Sequence, residues 1–443
     1  MRARRLLEYG RNRNPLPEGA LAVGAGLFVA GVSAYGFLVV SARALGPDRY
    51  ASLAVLWALV FLFGPGLFLP LEQEVSRALS SRRARGIGGA PLLSRAGLLG
   101  SVLAGMVVVA SLLAAGPMIE RLFDDQVLLL VGLVIALAAY AAQHLVRGTL
   151  SGMGRFGRYG LVIGSEGLLR LAGCVGLAVA GVATAGPYGF VVALAPVAAT
   201  VIALRKVREV VAPGPPASWR ELSGALAYLL AGSFLAQLLV NASPVAVRLL
   251  ASPSERHVAG PFLAGLVIAR IPLFLFQAVT AALLPKLAGF VAKGQSADFR
   301  SGLRRVLTAV VLVGSLATLA AFTVGPWVVG LLFGSDFVLP RRDLGYLAGG
   351  SAAYMLAIAL AQGLIALSAH ARVAMGWCLG TGVFFIVTAF GTDLLVRVER
   401  GFLAGSLAAA AAMAGLLLPR LSGASSARAE DLLEAGKSLP FEP

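Results

Sequence analysis

The chain is short of charge. Only 13% of its 443 residues are Asp, Glu, Lys or Arg, about half of the roughly 25% that solvates an ordinary soluble domain. That shortage excludes a soluble enzyme as the bulk of the molecule. Cysteine is also scarce: Cys174 and Cys378 both fall inside apolar runs, so neither a disulfide framework nor a cysteine metal site is expected. The three histidines, His144, His257 and His370, are far apart in sequence, which argues against a shared metal site. No P-loop pattern is present, which argues against ATP hydrolysis by this chain. No cofactor is expected. Nor is nucleic acid a partner, despite a formal charge of +16, because the bases are scattered over loops without aromatic stacking partners.

What is abundant is apolar sequence, 58% of the chain with a mean hydropathy of +0.86. Apolar runs of about 20 residues, the length that spans a bilayer core, recur from end to end. The basic start MRARRLLEYGRNRNP precedes a run at 20–42. That run is longer than a signal-peptide core of about 7–15 residues, so it reads as an uncleaved first span. The predicted spans are 20–42, 50–71, 92–115, 127–146, 161–182 and 188–204, then 224–247, 260–284, 306–325, 344–368, 373–392 and 402–418. The expected fold is therefore an all-α integral membrane protein of about twelve transmembrane helices. Residues 1–19 form an N-tail, 20–204 a first six-helix half, 205–223 a linker, 224–418 a second half, and 419–443 a polar C-tail expected to be disordered or surface-lying.

Basic residues set the orientation, since Lys and Arg accumulate in cytoplasmic loops. With the N-terminus inside, the outer loops hold only Arg43, Arg49, Arg121, Arg248, Arg256, Arg341, Arg342, Arg397 and Arg400 of the 37 basic residues. Most of the others lie in the tails and inner loops, so N-tail, linker and C-tail are all expected to be cytoplasmic. An internal repeat accompanies this pattern. GPMIERLFDD after span three matches GPWVVGLLFGSDF after span nine, and VRGTLSGMGRFGR after span four parallels AQGLIALSAHAR after span ten, each about 210 residues apart. Six spans separate equivalents, so the halves enter from the same side. They read as two six-helix bundles related as parallel repeats, an arrangement found in transporters that rock one half against the other.

Short motifs add a family resemblance. SARALGPDRYASLAVLWAL after span one resembles a segment of the polysaccharide-transport proteins, which belong with lipid-linked oligosaccharide flippases and multidrug exporters in one superfamily. FLPLEQEVSRALSSRR, with Arg77 in the matching place, resembles the family's exit from span two. AGPFLAGLVIARIPLFLFQAVTAALLPKLAGFVAKG resembles its eighth span. Two departures are Ala51, where the family usually has Gly, and the acids Glu72 and Glu74 close to Arg77. The resemblance covers about residues 20–418. It implies a flippase that carries a polyprenyl-diphosphate-linked oligosaccharide across the cell membrane by alternating access, with spans one, two, seven and eight lining the cavity.

Ionisable groups inside spans are costly and mark candidate sites. Glu166 and Arg170 in span five are four residues apart and can pair on one helical face. The pair reads either as a structural ion pair or as a proton-linked or substrate-contacting carboxylate. Arg270 in span eight reads as a guanidinium for diphosphate oxygens, or as a cap on carbonyls exposed by a kink at Pro272. Gln277 lies seven residues further on. Span seven carries Ser233, Gln237 and Asn241 at four-residue spacing, suited either to sugar hydroxyls or to bonds between helices. Arg43 and Arg77 could guide a phosphate or anchor spans at the interface.

Four functions compete on this reading. A glycan flippase fits the excess of arginine over acid within spans. A multidrug exporter of the same superfamily would want more cavity carboxylates. A membrane glycosyltransferase or polymerase would want a large catalytic loop, which the longest outer loop, 326–343, does not offer. A non-transporting scaffold of a glycan-assembly complex is the fourth. For the flippase, the expected partners are the lipid-linked glycan, the bilayer, and a glycan polymerase or glycosyltransferases. No dedicated ion site is expected to be essential, because the membrane potential favours outward passage of a diphosphate by about 2.3 kcal/mol per charge per 100 mV.

Overall fold

The computed structural model describes residues 19–204, 212–222 and 226–437, and no strand occurs among them. Residues 1–18 of the N-tail, linker residues 205–211 and 223, residues 224–225 of the predicted second half, and residues 438–443 lie outside the described residues.

Ten helices among the described residues are long and apolar enough to cross a membrane, and a bent pair supplies another crossing. The first of the ten, Leu21–Ala84, is 64 residues long. At about 1.5 Å per residue it is roughly three times longer than a bilayer core requires, so it contains both of the first two predicted spans. Among the described residues the protein is thus a multi-pass, all-helical membrane protein, and dividing the 64-residue helix between the first two predicted spans accommodates the expected number of about twelve.

Prolines and glycines decide where helices break. Within α1 (Ala20–Phe63) the only non-helical residue is Gly46, at φ 72. Glycine adopts that conformation without steric cost, and Pro47, which has no N–H to satisfy, suits the start of the next helical stretch. The expected loop 43–49 is therefore reduced to one kinked residue. A π-helical turn, Gly64–Phe68, leads into α2 (Leu69–Ala84), where Pro65 and Pro70 each remove a backbone donor and shift the ladder. The chain continues through α3 (Ala90–Leu113), α4 (Val127–Gly152), α5 (Phe156–Val179), α6 (Ala185–Leu204) and α7 (Leu226–Leu250). Span eight is not continuous: α8 (Ala259–Ala269) and α9 (Ile271–Ala292) meet at Arg270 with a bend of 43°. Pro272 cannot donate to the Ile268 carbonyl, which is why the helix parts there.

The last four helices are α10 (Ser296–Phe333), α11 (Arg341–Ala366), α12 (His370–Ala389) and α13 (Leu394–Lys437). Helix α10 overruns its predicted limits at both ends as one helix of 38 residues. Helix α13 also runs past residue 418, where a disordered or surface-lying tail was expected. The Ala, Leu and Glu that follow Pro419 are strong helix formers, and they continue it.

Two compact units can be distinguished. Unit 1 comprises the described residues of Met1–Ser41, Phe68–Ala115 and Val127–Gly224. A tight seam joins the start of α1 to α5. A Cβ added at Gly26 would stand 2.3 Å from the Gly160 carbonyl oxygen, and one at Gly160 would stand 2.2 Å from that of Ala22. One at Gly167 would meet the Ala30 Cα at 2.7 Å. Small residues let backbones touch in this way, and in a membrane that contact is a main source of helix affinity. Further along the seam the Cys174 Sγ lies 3.6 Å from the Phe37 carbonyl oxygen.

Unit 1 also holds the described part of the linker. Arg82, only 2% exposed, donates through Nε and Nη2 to the two carboxylate oxygens of Glu221 at 2.7 and 3.0 Å. Its Nη1 donates to the carbonyls of Gly88 at 2.8 Å and Pro215 at 3.2 Å. This forked, charge-assisted arrangement ties the linker to the end of α2. The Arg82 guanidinium, helped by the Ser218 amide, holds the Glu221 carboxyl down to about 2.

Unit 2 comprises Ala42–Leu67, Gly116–Gln126 and the described residues of Ala225–Pro443. A Cβ at Gly260 would stand 2.4 Å from the Pro47 carbonyl oxygen, and Tyr50 meets Phe337 edge-on at 5.7 Å. Ser233 Oγ donates to the Pro65 carbonyl at 3.2 Å, and Arg248 pairs with Asp124. These contacts explain why residues 42–67 and 116–126 group with helices much later in the chain.

Candidate functional site

The richest buried chemistry of unit 1 runs along α4 and α5. Glu72, near the start of α2, is 4% exposed and is met by three groups. His144 Nδ1 lies 2.7 Å from its Oε2, Arg147 Nε lies 3.2 Å from the same oxygen, and the Tyr159 hydroxyl donates to Oε1 at 2.8 Å. Arg147 also donates to the Tyr159 hydroxyl at 3.1 Å and sits 5.2 Å from the centre of that ring. His144 and Arg147 are three residues apart and share a face of α4, which turns both toward α2. Tyr140, one turn earlier on α4, donates to Glu166 Oε1 at 2.7 Å. Arg170 pairs with Glu166 and donates to the Tyr140 hydroxyl at 3.3 Å. Two ion-pair clusters are therefore stacked along one helix interface. The fully buried Gln143 lies between Tyr140 and His144 in sequence, and its amide atoms have no hydrogen-bond partner among the described residues.

In unit 2 the buried polar groups gather on α7. Pro244 cannot donate to the carbonyl four residues earlier, that of Val240. Arg270, at the break between α8 and α9, donates to that carbonyl instead. It also approaches Asn241 Oδ1 at 3.5 Å and lies 5.9 Å from the centre of the Phe402 ring. Asn241 in turn donates to the Gln237 side chain at 3.0 Å and its carbonyl at 3.1 Å. Tyr354 and Thr381 donate to the Ala236 and Leu235 carbonyls at 2.9 and 3.2 Å. The same unit buries Glu399, 0% exposed, with neither carboxylate oxygen hydrogen-bonded among the described residues.

The eight candidates named from sequence are thus distributed unevenly. Glu166 and Arg170 are brought together in unit 1, as their spacing implied. Arg270, Asn241 and Gln237 are brought together in unit 2. Gln277 is exposed on α9 beyond the bend and does not join them. Arg43 donates from Nε and Nη2 to the Leu332 and Leu331 carbonyls at 2.6 and 2.5 Å. It closes the last turn of α10, where free carbonyls favour a cation. Arg77 pairs with Glu74 at 2.8 Å and donates to the Glu221 carbonyl at 2.6 Å. The Glu72 cluster was not anticipated, although the spacing of Tyr140, His144 and Arg147 on one face of span four was a usable signal. Among the described residues, no group of three or more His, Cys, Asp or Glu is placed to hold a metal ion.

Comparison with known proteins places the fold. No family model matches the chain. Uncharacterized protein Rv1510 of Mycobacterium tuberculosis is 28% identical over 383 residues, covering 83% of this chain and 84% of its own length. Uncharacterized protein Mb3654 of Mycobacterium bovis is 26% identical over 401 residues, covering 85% and 88%. Among solved structures, the inward-facing conformation of a multidrug resistance MATE family transporter of the MOP superfamily is similar over 92% of this chain and 99% of that one. Its TM-score is 0.71 at 14% identity. An outward-facing conformation of such a transporter gives a TM-score of 0.64, 13% identity and coverage of 92% and 96%. A MATE transporter of Vibrio cholerae, solved as a point mutant, gives 0.64 at 16% identity, with coverage of 91% and 96%. The fold is the two-bundle fold of MATE transporters.

Proposed function

We propose that the chain is a membrane transporter working by alternating access, and that its cargo is a polyprenyl-diphosphate-linked oligosaccharide destined for the cell surface. The observation that carries the transporter reading is likeness over 92% of the chain to both inward-facing and outward-facing MATE structures. A fold found in both states is one that can alternate. In this proposal the protein sits in the cell membrane with both termini cytoplasmic. Residues 20–204 and 224–418 act as its two halves, and a glycan polymerase or glycosyltransferases work beside it. It moves its cargo without chemically changing it.

Arg270 is the residue assigned to the diphosphate. It meets α7 beside Asn241 and Gln237, whose amides suit sugar hydroxyls, and a guanidinium binds phosphate oxygens in pairs. Its bond to the Val240 carbonyl gives it a structural role as well, so the test must separate the two. Flipping of a fluorescent polyprenyl-diphosphate oligosaccharide is measured in proteoliposomes for wild type and for the double variant Arg270→Ala/Pro244→Ala. In that variant the alanine introduced for Pro244 supplies the N–H that Val240 needs. Transport by wild type and a loss of tenfold or more in the folded double variant is the expected result. Equal transport by both removes Arg270 from the site, and no transport of any glycan by wild type removes the flippase reading.

Export of cationic small molecules is the second reading. It is favoured by the buried carboxylates Glu72, Glu166 and Glu399, of which the sequence had singled out only Glu166 as a candidate. Efflux of a cationic dye by the same proteoliposomes, with no glycan flipping, would establish it instead.

A further inference from the structure

Within unit 2, helices α10, α11 and α13 leave an open cleft of about 760 Å³. Its walls are apolar, with Val310, Leu319, Phe322, Leu356 and Leu407 among them. Glycines at the floor of the cleft let α10 and α11 approach closely. A Cβ at Gly314 would stand 2.7 Å from Ala352, and one at Gly345 would stand 3.3 Å from the Phe322 ring. Along α11 the lining runs from Arg342 to Leu356, about 20 Å at 1.5 Å per residue. That distance leads from the membrane surface past the middle of a core about 30 Å thick.

One end of the cleft is charged. Arg342 lines it with its side chain 55% exposed, and Arg400 lies 5.8 Å from the centre of the lining Tyr346 ring. Arg341 and Arg400 are exposed at the same ends of α11 and α13. The acids of this region are mostly withdrawn: Asp343 is 2% and Glu399 0% exposed. Arg342 Nε donates to the buried Asp343 at 2.9 Å, and its Nη2 lies 3.8 Å from the exposed Asp393. At these ends of α11 and α13, one exposed acid among the described residues stands against exposed Arg341, Arg342 and Arg400. The accessible charge is therefore positive, set at the level where span-end arginines reach the headgroups.

We propose that this cleft is a binding site for an anionic phospholipid, with one acyl chain between α10 and α11 and the phosphate at Arg342 and Arg400. An apolar channel with a cationic mouth at the membrane surface matches the two ends of such a molecule. Arginine meets phosphate oxygens with paired charge-assisted bonds. A second copy of this chain is the poorer occupant, because a two-fold pair would set the exposed arginines of one mouth toward those of the other. The proposal is independent of which cargo the protein carries.

The test is native mass spectrometry of the full chain in detergent with phosphatidylglycerol or phosphatidylcholine of identical acyl chains. The expected result is phosphatidylglycerol retained at least fivefold more than phosphatidylcholine. Arg342→Ala/Arg400→Ala should cut that preference to parity, and Arg342→Lys/Arg400→Lys should keep most of it. Thr318→Trp, which fills the cleft, should reduce retention of both lipids. Equal retention of the two lipids by wild type overturns the proposal, as does a preference that survives both the alanine pair and Thr318→Trp. A dimer that Thr318→Trp dissolves would put a second copy in the cleft and overturn it too.

Discussion

The ion-paired arginines of unit 1 and the two candidate arginines of unit 2 are held in opposite ways, although unit 2 also pairs Arg248 with Asp124 and Arg342 with Asp343. In unit 1 the guanidiniums meet carboxylates: Arg147 at Glu72, Arg170 at Glu166, Arg82 at Glu221 and Arg77 at Glu74. In unit 2 the two arginines named from sequence meet backbone carbonyls: Arg270 at Val240, and Arg43 at Leu331 and Leu332. The first solution neutralises charge with charge, so removing one partner strands the other. The second sets a full positive charge against the partial charge of an oxygen that helix geometry has freed. A guanidinium also offers its donors in a planar fork. The proposed diphosphate site is assigned to Arg270 because this residue combines that fork with the neighbouring amides of Asn241 and Gln237.

The comparison can be broken most forcefully at Glu72. Glu72→Ala leaves Arg147 buried without its carboxylate and should cost about 3–5 kcal/mol, read as thermal unfolding of the detergent-solubilised protein. The double variant Glu72→Gln/Arg147→Met should recover much of that loss. A cost below about 1 kcal/mol for the single variant would mean that water, not Arg147, is the carboxylate's real partner.

A smaller effect is expected in unit 2. Arg270→Ala should cost about 1–3 kcal/mol, the penalty for an unsatisfied buried acceptor. Pro244→Ala in the same chain should remove most of it, because the new N–H restores the helical bond to Val240. If the two substitutions add without coupling, Arg270 is not replacing the donor that Pro244 lacks, and the contrast between the units fails.

The smallest effect concerns the linker clasp and depends on pH. The Glu221 carboxyl is depressed to about 2 in the folded protein, against about 4.3 for an unperturbed glutamate. Its contribution is therefore fully present above about pH 4.3 and lost as pH falls toward 2, a change of about 1 kcal/mol for a part-exposed pair. Pepsin should nick residues 212–222 increasingly over that range in wild type. Glu221→Gln should be nicked about equally throughout; a rising profile in that variant would dissociate the effect from Glu221.

Much of the fold was legible because bilayer thickness imposes a length. Runs of about 20 apolar residues need no partner to be recognised, and the expectation of about twelve crossings follows from them. The break in span eight was legible at Pro272, whereas the stretch 43–49 was expected as a loop and is a single kink at Gly46. The Glu166–Arg170 pair was legible because both residues lie on one helix, where spacing fixes geometry. The Glu72 cluster was not. Its members come from α2, α4 and α5, and no spacing within one helix says which neighbour a face will meet. The same holds for Arg270: the kink was readable, but Asn241 and the Val240 carbonyl became its partners only through packing against α7. Gln277, seven residues beyond Arg270, lies past the 43° bend and is exposed on α9.

The sequence by itself determined that this chain lives in a bilayer and crosses it about a dozen times as helices, with a bend at Pro272, because those properties depend on local composition against a solvent of fixed thickness. Tertiary structure alone decided which buried arginines meet a carboxylate and which meet a carbonyl. That outcome depends on which helix faces touch, and contacts between residues far apart in sequence arise only when the bundle is packed.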